Sequence, residues 1–234
     1  MADDRRIVQP SRQSIESAAE LLSAGKLVGV PTETVYGLAA DATNPAAVRK
    51  IYEAKGRPSN NPLIMHCDSV DAARSWVQLD GAPELVRQWR IAASFWPGPL
   101  TVVAPHNGNV PPIVTANAST VAVRVPSHPV MSALLSACRF PVAAPSANLS
   151  NYVSPTTAQH VASAFGDQVS LILDGGACEC GLESTIIRLG RSAVELLRPG
   201  AISAERIATA FESIGVDLIS DAPSSGCDNA AVEG

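Results

Sequence analysis

Short apolar runs alternate along this chain with segments in which apolar residues recur at helical spacing, and this alternation limits the possible folds most. Residues 27–30 are apolar, run straight into a proline and predict a buried strand. Residues 14–24 instead place four apolar side chains on one helical face. Strands mixed with helices, several of them adjacent in sequence, favour an α/β (α+β) fold: one mixed sheet with helices packed against it.

The same reading predicts most of the remaining elements. Further helices are expected at residues 69–77, 83–95, 129–137, 157–165 and 203–214. Further strands are expected at residues 63–66, 100–104, 121–125, 141–144, 169–173, 184–189 and 194–197, the last two as a hairpin, with a loop at residues 105–119. Asn44 and Pro45 are a cap and a first-turn residue for one more helix, which leads to Lys55. We expect a flexible N-terminus (1–9), one folded domain (10–216) and a loose tail (217–234).

Composition narrows the class of protein. A chain of 234 residues with 46% hydrophobic and 17% charged residues is typical of a soluble globular protein. The net charge of −5 argues against nucleic-acid binding through the overall field of the protein, although a local basic pocket remains possible. We expect no membrane span and no signal peptide, and five cysteines without framework spacing favour reduced thiols in the cytoplasm.

The segment 55–62 carries two cations in a rigid loop. Gly56, Pro58 and Pro62 exclude it from a helix interior or a central strand. Lys55 offers a point charge and Arg57 a planar fork, and both suit phosphate or carboxylate oxygens. The alternative is a solvated loop with two ordinary surface cations.

Other polar residues lie next to predicted strands. Alternate valines in residues 121–125 put Arg124 on the opposite face, where it either joins a buried ion pair or clamps a ligand. Four cations and several neutral donors, without an obvious acidic cluster, describe a cleft that receives an anion such as a triphosphate. The candidates are Thr34, Lys55, Arg57, Asn61, His66, Arg124, Ser146, Asn148, Ser184 and Arg198.

Several other kinds of site are disfavoured. The chain contains neither GxxxxGK[ST] nor a G-x-G-x-x-G after a strand, and no nucleophile elbow. Cys178 and Cys180 fit ordinary thiols better than half of a zinc site. A lone His66 after a strand is more often a core or edge residue than a functional one. Trp89 and Trp96, at helical spacing, are expected in the core.

Seven runs together resemble the YrdC-like threonylcarbamoyl-adenylate synthases. They are PTETVYGLAADATN (31–44), KGRPSNNPLIMH (55–66), WPGPLTVV (96–103), VAVRVPSHP (121–129), PVAAPSANLS (141–150), GLESTIIRL (181–189) and LLRPGAIS (196–203). The resemblance covers about residues 10–210, in the right order, and the pairing of K-x-R with S-x-N is its most specific part.

The resemblance implies an activity and a site. Such nucleotidyltransferases join L-threonine, bicarbonate and ATP to give threonylcarbamoyl-AMP, which a transferase system uses to modify tRNA beside the anticodon. The implied fold is a twisted mixed sheet curved around a positively charged cavity, with Mg²⁺ carried by ATP, no metal-ligating residue and no organic cofactor. The implied catalytic residues are Lys55 and Arg57. The implied ATP-binding residues are Lys55, Arg57, Asn61, Thr120, Ser146, Asn148, Ser154 and Arg198. The implied threonine-binding residues are Thr34, His66, Arg124, Ala144 through its backbone, and Ser184.

Some features depart from the family pattern, and alternatives stay open. The PSNNPL, GLEST and LLRPG runs resemble longer members, whose linker folds over the cavity into a second domain, but residues 221–234 do not resemble that linker. We therefore expect the catalytic domain without the accessory domain. Glu33 stands where many relatives carry Asp, a change expected to matter little. The alternatives are a double-stranded RNA or tRNA-binding module, with weak tRNA contact also possible for the enzyme, and a carbamoyl-transfer domain.

Overall fold

The computed structural model describes residues 5–150 and 152–220. The strands are β1 (Ile7–Val8), β2 (Val28–Val30), β3 (Gly37–Asp41), β4 (Ile64–His66), β5 (Leu100–Pro105), β6 (Thr120–Arg124), β7 (Val142–Ala143), β8 (Leu171–Leu173), β9 (Thr185–Leu189), β10 (Ala193–Arg198) and β11 (Asp217–Ile219). The helices are α1 (Arg12–Ser23), α2 (Pro45–Lys55), α3 (Val70–Arg74), α4 (Pro83–Ala93), α5 (Pro112–Thr115), α6 (Pro129–Cys138), α7 (Ala158–Phe165) and α8 (Ala204–Glu212).

These strands form one mixed sheet in the order β1-β8-β2-β3-β7-β4-β6-β5-β9-β10-β11. The pairs β1–β8, β8–β2, β4–β6, β5–β9 and β10–β11 are parallel, and the other neighbours are antiparallel. The predicted fold, a mixed sheet with flanking helices, is confirmed. The predicted hairpin is confirmed as β9 and β10.

The central strands have two different faces. Met65 of β4 and Val123 of β6 lie side by side and belong to the larger hydrophobic core. The next residues along these two strands, His66 and Arg124, also lie side by side and point to the opposite face, because successive side chains in a strand alternate. On these two strands, one face therefore packs the larger core while the other presents polar groups. Val142 of β7, the register partner of His66, belongs to a second apolar core that includes residues of α1 and α6.

Helix α2 carries the chain from the sheet to the segment 55–62. The Asn44 side chain accepts hydrogen bonds from the amides of Ala46 and Ala47, and Pro45 takes the first turn, as predicted. Gly56 ends the helix in the left-handed region, with φ 58°, which a glycine adopts without steric cost. No helix among the described residues is long and apolar enough to cross a membrane.

The tryptophans predicted to lie in the core are buried. Trp89 and Trp96 are 5% and 7% exposed, and their ring centroids lie 5.3 Å apart in an edge-to-face arrangement. The Trp96 ring nitrogen donates to the Leu100 carbonyl at 2.7 Å, so its polar group is satisfied within the core.

Four short elements differ from the sequence-based expectation. Ile7–Val8 forms β1 within the segment expected to be flexible, and Asp217–Ile219 forms β11 within the expected tail. Pro112–Thr115 forms a single helical turn in the expected loop, and Gly37–Asp41 forms β3 without any β-branched residue. Elements this short or this poor in strand formers carry too little periodicity to be recognised. Residues 221–234 of the expected tail lie outside the described residues.

Candidate functional site

A cavity of about 230 Å³ opens on the sheet face that carries His66 and Arg124. Strands β4, β5, β6 and β9 contribute one wall, and the end of β10, the loops that follow β2, α2 and β7, and the residues just before β9 contribute others. Its polar lining consists of Thr32, Thr34, Arg57, Asn61, His66, Arg124, Ser146, Glu183, Ser184 and Arg198. Polar side chains from distant segments thus converge on one small space.

Arg124 is buried in this wall, with its side chain 4% exposed. Its Nη2 lies 2.7 Å from Oε1 of Glu33, and both terminal nitrogens donate to the Thr34 hydroxyl at 3.1 and 3.2 Å. Its Nε donates to the Gly98 carbonyl at 3.3 Å. A guanidinium has five N–H donors, so these contacts leave one N–H on Nη1 without an acceptor among the described residues. Arg124 is therefore a buried ion-pair partner that still has a donor for a ligand.

A tight turn holds the partners of Arg124. The Thr32 hydroxyl donates to the Val35 carbonyl at 2.6 Å and accepts from the amides of Thr34 and Val35, both at 3.2 Å. This turn brings Glu33 and Thr34 against Arg124. Burial opposes ionisation of Glu33, but the charge and hydrogen bond of Arg124 outweigh it, so the pKa of this carboxyl is below its ordinary value.

Arg198 ends β10 beside a β-bulge and reaches back to the start of β9. Its Nη1 forms an ion pair with the Glu183 carboxylate, and its Nη2 donates to the Ser184 carbonyl at 2.8 Å and to the Ser184 hydroxyl at 3.2 Å. The Ser184 hydroxyl also lies 2.8 Å from the hydroxyl of buried Thr101. Neighbouring strands and this hydrogen-bond network therefore fix the positions of Ser184 and Arg198.

The Arg57 side chain forms hydrogen bonds within its own loop, to Asn61 and Pro62. Its Nη2 donates to Asn61 Oδ1 at 2.6 Å and to the Pro62 carbonyl at 2.9 Å, and its Nε donates to the Asn61 carbonyl at 3.1 Å. Burial, mainly, and the neighbouring Arg198 lower the pKa of Arg57, while Tyr52 and Glu183 act in the opposite direction. The loop is thus a self-bonded unit that presents a guanidinium and an amide to the cavity, and not a freely solvated segment.

Lys55 has a different environment from its motif partner Arg57. Only 3% of Lys55 is exposed, and its ammonium donates to the carbonyl of Ser146 at 2.5 Å and to the carbonyl of Asn148. Burial and the charge of Arg57 lower the pKa of Lys55 to about 8, although Glu183 favours the charged form. The ammonium therefore contacts the protein backbone, and Lys55 is not among the residues that line the cavity.

His66 is fully enclosed on the cavity wall, at 2% exposure. Burial and the neighbouring Arg124 lower its pKa to about 3, against the opposing effect of Glu33. The imidazole is therefore neutral near pH 7, and its Nδ1 has no hydrogen-bond partner among the described residues. A neutral ring of this kind can exchange a hydrogen bond with a small polar ligand.

Nine of the thirteen residues predicted for the site line the cavity: Thr34, Arg57, Asn61, His66, Arg124, Ala144, Ser146, Ser184 and Arg198. Thr120, Asn148, Ser154 and Lys55 do not. Thr120 begins β6 on the same face as Ala122, which does line the cavity. Ser154 donates to Glu183 at 3.0 Å, and the Asn148 amide donates to the Leu149 and Tyr152 carbonyls. Thr120, Ser154 and Asn148 therefore lie outside the cavity lining, and the roles predicted for them stay predictions.

Sequence reasoning missed three polar residues of the site. Thr32, Glu33 and Glu183 all line or directly support it, and both glutamates pair with arginines. The sequence-based description of the cleft, which had no obvious acidic cluster, therefore left out two carboxylates. Glu33 adjoins Thr34 and Glu183 adjoins Ser184, so closeness to predicted residues is the signal that was available.

The cavity holds more positive than negative charge. Three arginines, Arg57, Arg124 and Arg198, line it, against Glu33 beside Arg124 and Glu183 beside Arg198. Burial, mainly, and Arg124 lower the pKa of Arg198, while Glu183 raises it. Cations crowded together away from water favour the binding of an added anion, which relieves their repulsion. Among the described residues, no group of three or more His, Cys, Asp and Glu side chains is close enough to hold a metal ion.

Comparison with known protein families gives a match over most of the chain. The family model Sua5_yciO_yrdC, described as "Telomere recombination", matches residues 20–200. Two curated proteins named "Threonylcarbamoyl-AMP synthase" are each 46% identical to it. The protein from Pyrococcus abyssi matches over 82% of this chain and 56% of its own length, and the protein from Bacillus subtilis over 87% and 58%. The chain thus spans somewhat more than half the length of these relatives.

A solved structure agrees with the fold. The crystal structure of P. abyssi Sua5 complexed with L-threonine superposes with a TM-score of 0.82 at 42% sequence identity. The superposition covers 91% of this chain and 62% of the other chain. The described fold is therefore that of the superposed part of this structure.

Proposed function

Because this chain belongs to the Sua5/YciO/YrdC family, we propose that it is a threonylcarbamoyl-AMP synthase that joins L-threonine, bicarbonate and ATP, with release of pyrophosphate. The observation that carries the proposal is one cavity in which Arg57, Arg124 and Arg198 converge from three distant segments. Two of the three substrates are anions and threonine carries a carboxylate, so such a cavity suits all three.

Threonine binds on the side of Arg124. The free N–H of Arg124 Nη1 receives the amino-acid carboxylate, while Glu33 and Thr34 hold the guanidinium in orientation. His66, neutral and with an unpaired ring nitrogen, lies on the neighbouring strand and exchanges a hydrogen bond with a polar group of threonine. Ser184 and the backbone of Ala144 complete this side.

ATP binds on the side of Arg57 and Arg198. These two guanidiniums contact the phosphates and balance the charge that develops when pyrophosphate leaves. Asn61 and Ser146 add neutral donors to the same side. Thr120, Asn148 and Ser154, in the surrounding shell, contact the outer parts of the nucleotide.

The chemistry requires little covalent work from the protein. The threonine amine forms a carbamate by adding to carbon dioxide with loss of a proton, or by condensing with bicarbonate with loss of water. A carbamate oxygen then attacks the α-phosphorus, and the bond from this phosphorus to the bridging oxygen breaks as pyrophosphate leaves. The main contribution of the cavity is to hold two anions and an amine in line, which raises the effective concentration of the reactants by several orders of magnitude. Exclusion of water protects the labile carbamate.

Mg²⁺ would be bound to ATP when the nucleotide enters the cavity. Glu33 and Glu183 are already paired with arginines, so phosphate oxygens and water would supply the ligands of the ion. It would neutralise phosphate charge there. No organic cofactor is required.

The product passes to a separate transferase system that modifies tRNA beside the anticodon, and the reaction belongs in the cytoplasm. The RNA-binding alternative is less favoured because three arginines face a cavity of about 230 Å³, which is too small for a duplex. The carbamoyl-transfer alternative finds no separate support in the residues that line the cavity.

Pyrophosphate release tests the proposal. With ATP present, release should require both threonine and bicarbonate, because the carbamate is the group that attacks the nucleotide. An enzyme-coupled pyrophosphate assay measures this, and ATP turnover that is indifferent to threonine would refute the assignment.

A pair of variants links that activity to the cavity. Arg57→Met should reduce turnover by about a hundredfold or more, since it removes the positive charge that stabilises the developing negative charge on the phosphates. Arg49→Met is the matched control, because Arg49 is exposed on α2 and does not line the cavity. Equal activity of the two variants would remove the segment 55–62 from the site.

A further inference from the structure

Both the side chain and the backbone of Lys55 form hydrogen bonds with the segment 146–150. Its ammonium donates to the carbonyls of Ser146 and Asn148, and its own backbone carbonyl accepts from the Ser150 amide at 3.0 Å. Lys55 is the last residue of α2, so these three bonds join the end of a helix to the segment 146–150. Ser146 in that segment lines the cavity.

We propose that Lys55 is a positioning residue that fixes the segment 146–150 as a wall of the cavity, and that it does not contact the phosphates itself. The inference rests on the proposed function for its meaning in catalysis, but its structural part can be tested without substrates. It assigns different tasks to the two cations of the K-x-R motif: Arg57 faces the ligand, and Lys55 faces the backbone.

Two backbone carbonyls would be left without a donor if Lys55 moved. Two of the three ammonium N–H groups are already used on backbone carbonyls that are turned toward it. If Lys55 swung into the cavity, the Ser146 and Asn148 carbonyls would lose a charge-assisted donor away from water, which is unfavourable. Among the described residues, the segment is otherwise tied to the start of β3 by an antiparallel bridge between Gly37 and Ser146, in which the Ala147 amide donates to the Tyr36 carbonyl at 2.7 Å and the Leu38 amide donates to the Pro145 carbonyl at 2.9 Å. This bridge fixes the start of the segment, and Lys55 contacts the residues that follow it.

The electrostatic surroundings of Lys55 agree with this role. Burial and, to a smaller extent, the charge of Arg57 lower the pKa of Lys55 to about 8, and Glu183 is the acidic group that acts against them. No ion pair joins Lys55 to a carboxylate in the described part of the chain. Among the described residues, the ammonium charge is therefore stabilised by the dipoles of the Ser146 and Asn148 carbonyls.

Hydrogen exchange on Lys55→Met tests the structural part. The chain contains three lysines, and Lys50 is a matched control because it lies on the same helix and also donates to a backbone carbonyl, that of Gly25, at 2.6 Å. Amide exchange in residues 146–150 should accelerate about tenfold or more in Lys55→Met and stay unchanged in Lys50→Met. Unchanged exchange in Lys55→Met together with weaker ATP binding would overturn the inference.

A double-mutant cycle separates positioning from direct contact. Lys55→Met should weaken ATP binding by about tenfold or more in the wild-type background, measured by calorimetry, but by less than about twofold when Ser146→Ala is already present, because both changes disable the same wall. Losses that multiply in full would indicate an independent contact between Lys55 and the nucleotide and would overturn the inference.

The wild-type protein supplies the remaining measurement if Lys55→Met does not fold. In a crystal structure with a non-hydrolysable ATP analogue, the Lys55 ammonium should remain on the Ser146 and Asn148 carbonyls, and a bond from it to a phosphate oxygen would overturn the inference. Because exchange and ATP binding need no turnover, a protein that released no pyrophosphate would refute the proposed reaction while these results still decided the role of Lys55.

Discussion

Arg124 shows how much a single position reveals. Alternation along β6 predicted that its side chain leaves the face of the valines, and the structure confirms this. The sequence left a buried ion pair and a ligand clamp as alternatives, and the structure contains the pair, with Glu33, together with a free donor on the cavity wall. A glutamate at position 33 was expected to matter little, and the sequence did not reveal that Glu33 pairs with Arg124, because nothing local in it indicates a contact with a residue so far along the chain.

His66 makes the stability of the protein depend on acidity. Its pKa is about 3 in the folded state, because of burial and Arg124, and about 6.5 in an unfolded chain. As the pH falls below 6.5, the unfolded chain takes up a proton that the folded chain does not. His66 therefore removes up to about 1.4 kcal/mol of unfolding free energy for each pH unit between about pH 6 and 3. His66→Gln should abolish this part of the loss, as measured by urea unfolding at pH 7, 5.5 and 4.5.

Two comparisons isolate that effect. The contribution of Glu33 to the unfolding free energy also falls with pH, because its pKa is lowered in the folded state. This loss occurs in both wild type and His66→Gln, so the difference between the two proteins reports His66. His160→Gln is the control, since His160 is exposed on α7. A pH profile of His66→Gln that parallels wild type would contradict the prediction.

At the scale of elements, the turn after β10 supports the start of β9. The Ala201 amide donates to the Glu183 carbonyl at 3.1 Å, and Thr185 exchanges hydrogen bonds with Ile202. A Cβ on Gly200 would lie 2.4 Å from the Glu183 carbonyl oxygen and 2.6 Å from backbone atoms of the two residues that follow. Gly200→Ala should therefore push this backbone away, destabilise the protein by about 1–3 kcal/mol and reduce turnover by about tenfold or more.

Gly190→Ala is the matched control for that variant. Gly190 lies in the turn at the other end of the same hairpin, where a Cβ would come within 2.6 Å of the Ala193 carbonyl oxygen. It should destabilise the protein in thermal unfolding yet leave kcat and KM of the folded protein near wild type. Loss of activity in both variants, in proportion to their lost stability, would show that Gly200 has no special relation to the site.

Elements with local signals were the predictable ones. Helix α2 has Asn44, Pro45 and Gly56 at its ends, and α8 has Ser203 as its cap, so their positions follow from capping chemistry. The short strands β1 and β11 exist because a neighbouring strand pairs with them, β8 and β10 respectively. Pairing partners of that kind are set by the tertiary fold and leave no pattern in two or three residues.

For the molecule as a whole, a bound anion should act as a stabilising ligand. The unfolded chain cannot gather Arg57, Arg124 and Arg198, so pyrophosphate or ATP binds the folded state alone and raises its unfolding free energy by about 2.7 kcal/mol at a hundred times Kd. Thermal unfolding with increasing pyrophosphate should show a rising Tm in wild type and a much smaller rise in Arg198→Met.

The control for this measurement lies in the same hairpin. Arg191 is exposed in the turn between β9 and β10, so Arg191→Met removes an equal charge far from the cavity lining. It should keep the wild-type response to pyrophosphate. Equal stabilisation of Arg198→Met and wild type would mean that the anion binds elsewhere.

The candidate site was predictable in membership more than in arrangement. The runs of sequence that resemble a known family named nine residues that the fold gathers around one cavity. They did not reveal that Lys55 turns toward the backbone or that Glu183 pairs with Arg198, because a motif specifies which residues occur and not which atoms they contact. Such contacts depend on the packing of segments that are far apart in the chain.

The two glutamates beside Arg124 and Arg198 have a consequence for selectivity. These two carboxylates are counterions supplied by the protein itself, so the two guanidiniums are already partly neutralised. A substrate gains only the difference between its own contacts and those already present. A neutral analogue of the right shape offers no charge in exchange for these carboxylates, so we expect it to bind more weakly than an anion.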